Sequence, residues 1–296
     1  MPQLKRLVFF GTEDFSLPTL QALIKSDFEV IAVVTKPDSA RGRSKQLVAP
    51  AIKQLALEHN IPVFQPNKLA DITDQLSSLK PDAAVLVSYG KILPQRTLDV
   101  FEPFGIINIH PSLLPKYRGP APIEAAILHG DTTTGISIMK LTAGMDEGPI
   151  YAQTQLSLDG TERKDNLSQK LAGESARLLI RVLPQILSGE LLPIEQKNDD
   201  VSYTSIISKS DGICDPLTET ATMIERKVRA YIGFPKTRLP LNNTDVIITS
   251  VRVTESLLPG ALTIKCAENS YLEIKELIAP SGKRISGDAF LRGYAA

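Results

Sequence analysis

Two side chains two positions apart carry the first chemical signal in this chain. Asn108 and His110 lie in the stretch G-I-I-N-I-H, which begins at Gly105. Its β-branched residues suit a short buried strand. In a strand, positions i and i+2 leave by the same face, so an amide and an imidazole are presented together. The amide can donate to an oxyanion, and the imidazole can move protons near neutral pH or, as imidazolium, support that oxyanion. Pro111, Pro115, Pro120 and Pro122 follow, ending the strand and leaving a stiff, unpaired backbone. Such a segment makes a poor core and a good pocket wall. Downstream stands Asp146, in the glycine-flanked acidic loop T-A-G-M-D-E-G. Beside His110, a carboxylate would orient the ring. Each residue also has an ordinary reading: a histidine at a strand end is often structural, and an acid among glycines is often a turn residue.

The elements that must position these groups read as an α/β pattern. A strand over Leu4–Phe10, a helix over Ser16–Lys25 and a strand over Phe28–Thr35 open a parallel domain. The intervening turn, G-T-E-D-F, lacks the second and third glycines of a dinucleotide fingerprint. Helices are expected over Ala51–His59 and Leu69–Leu79, with a strand over Ile61–Phe64. Ala83–Ser88 is apolar throughout, as a central parallel strand is. Tyr89-Gly90 then turns the chain beside the strand end that carries Asn108 and His110, where open α/β sheets place ligands. A helix over Pro122–Gly130, strands over Gly135–Leu141 and Ile150–Leu156, and a long amphipathic helix over Asp165–Leu187 complete the domain. Ser188–Ser202 is polar and helix-poor, the character of a linker. Beyond it, Leu217–Tyr231 reads as a helix. From Arg238 onward, short strands are broken by N-N-T-D, L-L-P-G and A-E-N-S, the pattern of a small barrel. The expected fold is α/β: a Rossmann-like, mostly parallel sheet domain over 1–189, a linker over 190–202, and an OB-like β-barrel over 203–296.

Composition bounds the function. The 296 residues are 43% apolar and 22% charged, with 33 bases against 33 acids, so no global field draws in a polyanion. A local patch does exist: Lys36, Arg41, Arg43, Lys45 and Lys53 face one acid, Asp38, within Lys36–Lys53. It is either a solvated surface loop or an arm that grips a phosphate backbone. The apolar run near the N-terminus is short for a signal peptide, and no segment reaches membrane-spanning length. Cys214 and Cys266 lie far apart without a C-x-x-C, and His59, His110 and His129 are the three histidines. Reduced thiols, no metal site, no membrane and a cytoplasmic setting are the expectations.

The stretch N-I-H-P-S-L-L-P-K-Y-R-G-P-A-P, Asn108–Pro122, resembles the signature of the folate-dependent formyltransferases, which take a formyl group from 10-formyltetrahydrofolate. Few other families combine N-x-H with S-L-L-P, and M-D-E-G stands where that family carries its glycine-flanked aspartate. The resemblance implies that Asn108, His110 and Asp146 are catalytic and transfer formyl directly through a tetrahedral intermediate. It implies that Ser112, Leu113, Leu114 and Pro115 contact the folate, and that Val87, Tyr89 and Gly90 line its pterin pocket. The full length, the appended β domain and the D-x-x-x-G-R-x-K loop at Asp38–Lys45 resemble the members that formylate methionine on initiator methionyl-tRNA. On that likeness Arg41, Arg43 and Lys45 contact tRNA, 203–296 binds tRNA, and the protein is a monomer acting in translation initiation. The second domain departs from the pattern: R-A-Y-I-G-F-P-K-T-R replaces a tryptophan-containing segment, and the chain has no tryptophan. Rival readings are formyl transfer to an amino sugar nucleotide, hydrolysis of the folate to formate, and RNA binding without catalysis.

Overall fold

The strands that could carry Asn108 and His110 form one seven-stranded sheet in a computed structural model, which describes residues 5–41, 46–197, 199–241 and 244–294. In chain order the first elements are β1 (Lys5–Gly11), α1 (Leu17–Ile24), β2 (Phe28–Val34), β3 (Ser39–Arg41), β4 (Gln46–Val48), α2 (Ala51–Glu58) and β5 (Val63–Phe64). Next come α3 (Thr73–Ser78), β6 (Ala83–Val87), α4 (Gln95–Leu98), β7 (Ile106–His110), α5 (Pro122–His129), β8 (Thr133–Lys140), β9 (Ile150–Ser157) and α6 (Lys164–Ser188). The sheet order is β5-β2-β1-β6-β7-β8-β9. Strands β5 to β7 are parallel, and β8 runs antiparallel to β7. Every residue of β6 and β7 is buried, which is why both read as apolar runs. From β1 the chain goes to β2 on one side and later to β6 on the other, so the sheet's switch point lies between β1 and β6.

The fold is divided into two compact units by its contacts. The first takes in the chain up to Pro120, Thr134–Leu156 and Ser168–Thr204; the second comprises Ala121–Thr133, Ser157–Leu167 and the chain from Ser205. Within the first, Phe10 meets Tyr89 and Phe101 edge-on, with centroids 5.5 and 5.8 Å apart, at the centre of a core cluster on β1, β2 and β6. Such pairs add about 0.5–1.5 kcal/mol each beyond their burial.

The second unit is built on α7 (Ala221–Ala230) and a five-stranded antiparallel sheet of β10 (Thr237–Leu241), β11 (Thr244–Thr254), β12 (Thr263–Lys265), β13 (Tyr271–Ile278) and β14 (Arg284–Ser286), followed by α8 (Gly287–Tyr294). Strand β13 pairs with β11, β12 and β14, and bulges in β11 near Ser250 bend the ladder. Helix α7 packs on α5, where Arg226 donates to the carbonyl of His129 at 3.0 Å. Gly130 ends α5 at φ +67°, a left-handed cap that glycine adopts without strain. No described helix is long and apolar enough to cross a membrane.

Three stretches differ from the sequence expectation. The basic segment after β2 is not a plain loop, because β3 and β4 pair as an antiparallel hairpin. Helix α7 begins at Ala221 rather than Leu217: Asp215 turns the chain by accepting from the Leu217 amide, and Thr220 caps the helix by accepting from the Met223 amide. The stretch expected as a linker is tied to the first unit, with Ile194 exchanging backbone bonds with Ile150 and Ser202 accepting from Arg118.

Candidate active site

Strand parity brings Asn108 and His110 to one face of β7, and both are 4% exposed. The acidic loop after β8 brings Asp146 to meet them. Its Oδ2 lies 3.5 Å from His110 Nδ1 and accepts from the Gly119 amide at 2.8 Å, while Asn108 Nδ2 donates to Oδ1 at 3.4 Å. His110 Nε2 lies 2.9 Å from the carbonyl of Tyr117, so both ring nitrogens face acceptors. The three predicted residues therefore form one cluster at the carboxyl end of β7, although Asp146 and Asn108 are 38 positions apart. Asp146 sits at φ +51°, a left-handed conformation that aspartate tolerates better than most residues.

The S-L-L-P segment is held from behind. Ser137 Oγ, on β8, donates to the Ser112 carbonyl and accepts from the Leu114 amide, and Gln153 donates to the Leu114 carbonyl. Ser112 Oγ donates to the Lys116 carbonyl at 2.6 Å. Ser112 and Leu114 are buried, whereas Leu113 and Pro115 are half-buried. With its polar groups so engaged, the segment can offer a ligand a stiff apolar wall formed by the latter two. On β6 and the turn after it, the side chains of Val87 and Tyr89 are fully buried in the core and Gly90 is exposed. Among the described residues the buried Tyr89 hydroxyl has no partner, and burial pushes its pKa up to about 12. Gly90 has φ +69°, and a Cβ there would meet the Lys36 ammonium at 2.6 Å.

At the base of the hairpin, Asp38 accepts from Lys53 at 2.9 Å and from Gln65 at 2.7 Å. The Gln65 bond and then Lys53 hold its carboxyl below the usual range. Lys53 is thereby removed from the basic patch. Arg43, Lys45 and the Arg41 side chain lie outside the described residues. Among the described residues, no three His, Cys, Asp or Glu side chains are grouped to hold a metal ion.

Sequence reasoning missed the groups behind Asp146. Arg118 is 5% exposed and donates to Gln196 Oε1 through Nε at 3.1 Å and Nη2 at 2.8 Å. Its Nη1 donates to the Tyr203 hydroxyl at 3.1 Å, and that hydroxyl donates to Glu147 at 3.0 Å. Gln196 Nε2 donates to the carbonyls of Asp146 and Gly148, both at 2.8 Å. Arg118 was visible as the R-G of the motif; Gln196 and Tyr203 had no signal in the sequence.

Comparison with known proteins defines the class. The chain matches the formyl transferase family over residues 5–183 and the formyl transferase C-terminal domain over 206–295, so it is an enzyme of formyl transfer. A methionyl-tRNA formyltransferase from Halorhodospira halophila is 40% identical over 300 residues, spanning 97% of this chain and 96% of that protein. The chain belongs to the methionyl-tRNA formyltransferase family. Its fold is also that of an N-formyltransferase from Helicobacter canadensis, solved with folinic acid and dTDP-3-aminofucose (TM-score 0.70, 18% identity, 92% of this chain and 99% of that one). A phosphoribosylglycinamide formyltransferase from Bacillus halodurans is 27% identical with TM-score 0.54, over 63% of this chain and 97% of its own.

Proposed function

We propose that this enzyme transfers the formyl group of 10-formyltetrahydrofolate to the amino group of methionine on initiator methionyl-tRNA, giving N-formylmethionyl-tRNA for translation initiation. The observation that carries the reading is the convergence of Asn108, His110 and Asp146 at the carboxyl end of β7, in a chain that spans its curated relative nearly end to end. The folate supplies an activated formyl group. Ser112, Leu113, Leu114 and Pro115 would hold it, with the turn Val87–Gly90 alongside; the exposed Gly90 backbone and the half-buried Leu113 and Pro115 suit a flat ring. Asn108 donates to the formyl oxygen as the carbon becomes tetrahedral, a role worth about 3 kcal/mol. His110, oriented by Asp146, relays the proton lost by the attacking nitrogen to the departing folate nitrogen or, as imidazolium with acceptors at both ring nitrogens, supports the developing oxyanion. No covalent enzyme intermediate is needed, and Cys214 and Cys266 are both buried within the second unit.

The acceptor is read from the rest of the chain. Arg41, Arg43 and Lys45 of the D-x-x-x-G-R-x-K stretch and the domain 203–296 are assigned to tRNA, residues 1–189 to catalysis, and the protein is taken as a cytoplasmic monomer. The test is an acceptor panel: charged initiator tRNA, uncharged tRNA and amino sugar nucleotides, each with 10-formyltetrahydrofolate. Transfer to the methionyl ester alone is expected, with affinity that falls steeply as salt rises. Transfer to a sugar alone would discard the RNA reading.

A further inference from the structure

We propose that Gln196 is a positioning residue for catalysis, fixing the backbone of the Asp146 loop so that the carboxylate meets His110. The inference rests on the formyl-transfer reading above. Gln196 spends its amide N–H groups on two carbonyls of one short loop, those of Asp146 and Gly148, both at 2.8 Å. The first of these carbonyls belongs to Asp146 itself, whose left-handed conformation must persist for Oδ2 to face both His110 and the Gly119 amide. Backbone strain of this kind is retained where surrounding groups over-determine it.

The orientation of the Gln196 amide is unambiguous. A guanidinium only donates and a carbonyl only accepts, so the oxygen must face Arg118 and the nitrogen the loop. A carboxylate in its place would keep the Arg118 contact and turn an acceptor onto two acceptors. Arg118 in turn is buried and tied to the same loop through Tyr203 and Glu147, with its Nη1 3.6 Å from Glu147. Its neighbour Gly119 supplies the backbone donor to Asp146. The loop is thus held at the Asp146 carboxylate by Gly119 and at its backbone by Gln196, residues that need not touch substrate.

The variant that isolates this role is Gln196→Glu, in the full chain, with folding checked by thermal melting. Its kcat for formyl transfer to methionyl-tRNA should fall by roughly 10- to 100-fold, the cost of a catalytic group displaced by up to about 1 Å. KM for folate and for tRNA should change less than about twofold, since the lost interaction acts on the reacting groups. In an Asp146→Asn background the same change should cost less than about twofold further, because coupled residues are non-additive. If Gln196→Glu does not fold, Gln196→Leu removes the donor pair without adding charge and carries the same expectation. A folded variant with wild-type kcat, or an equal loss in the Asp146→Asn background, would overturn the proposal while leaving the enzyme's function intact. A wild-type protein inactive on every acceptor would overturn the functional reading and this inference with it.

Discussion

Asn108 holds Asp146 through a bond of 3.4 Å, long enough to be weak. A stronger acceptor such as a developing oxyanion can take that N–H at little cost. Asn108→Ala should therefore lower kcat by about 10²–10³-fold, the measured range for removing one oxyanion donor, with folate affinity nearly unchanged. Steady-state kinetics with binding measured separately checks this, and an equal loss in both would remove the oxyanion role. At this scale the sequence was informative wherever local geometry decides. Parity put Asn108 and His110 on one face, and glycines flagged the Asp146 loop. It was silent where partners are distant: Arg118 and Gln196 are 78 positions apart, and no local pattern encodes their meeting. Tyr89 shows the same limit, since its place in an aromatic core cluster depends on Phe10, far away in sequence.

The strands and main helices followed from periodicity, while the connections followed from caps and turns that periodicity does not contain. Gly119 belongs to such a connection. It has φ +109°, and a Cβ would lie 2.6 Å from the Thr204 backbone oxygen, an atom that cannot swing aside. The Thr204 amide donates to the Arg118 carbonyl at 2.7 Å, so this neighbour is itself fixed. Gly119→Ala should cost about 1–3 kcal/mol from backbone strain alone, read as a lower urea midpoint. It should also depress kcat, because the displaced amide is a donor to Asp146. Wild-type stability and turnover in this variant would mean that the crossing of Arg118 and Tyr203 is loose. That crossing is also why residues 188–202 looked like a linker: a segment held by side-chain and bridge contacts has the composition of a free one.

For the molecule as a whole, alkaline pH is the telling variable. Cys214 and Cys266 are both buried in the second unit's core, and burial pushes their pKa values up to about 12 and about 11. An unfolded thiol titrates near about 8.5. Above that pH the unfolded chain loses protons that the folded chain retains, so stability is unaffected below it and falls as pH rises toward the folded values. Each thiol contributes a slope of up to about 1.4 kcal/mol per pH unit. Cys214→Ala should flatten the decline between about pH 9 and 11 in urea titrations under reducing conditions; an unchanged slope would show that other groups govern it. The division into an α/β part and a β-rich part was legible from composition and turn spacing. What was not legible is that the second unit draws on three separate stretches, Ala121–Thr133, Ser157–Leu167 and the chain from Ser205.

That interleaving limits how the molecule can be recombined. A chimera joined at residue 205, the seam that both family models respect, would inherit one of the three stretches and leave two behind with the other parent. Its Arg226 would then meet a foreign α5 carbonyl end, and its Arg229 a foreign Glu162 carbonyl, where the native chain pairs its own. For lineages that exchange their C-terminal modules, the compatible unit of inheritance is a triplet of segments rather than a tail.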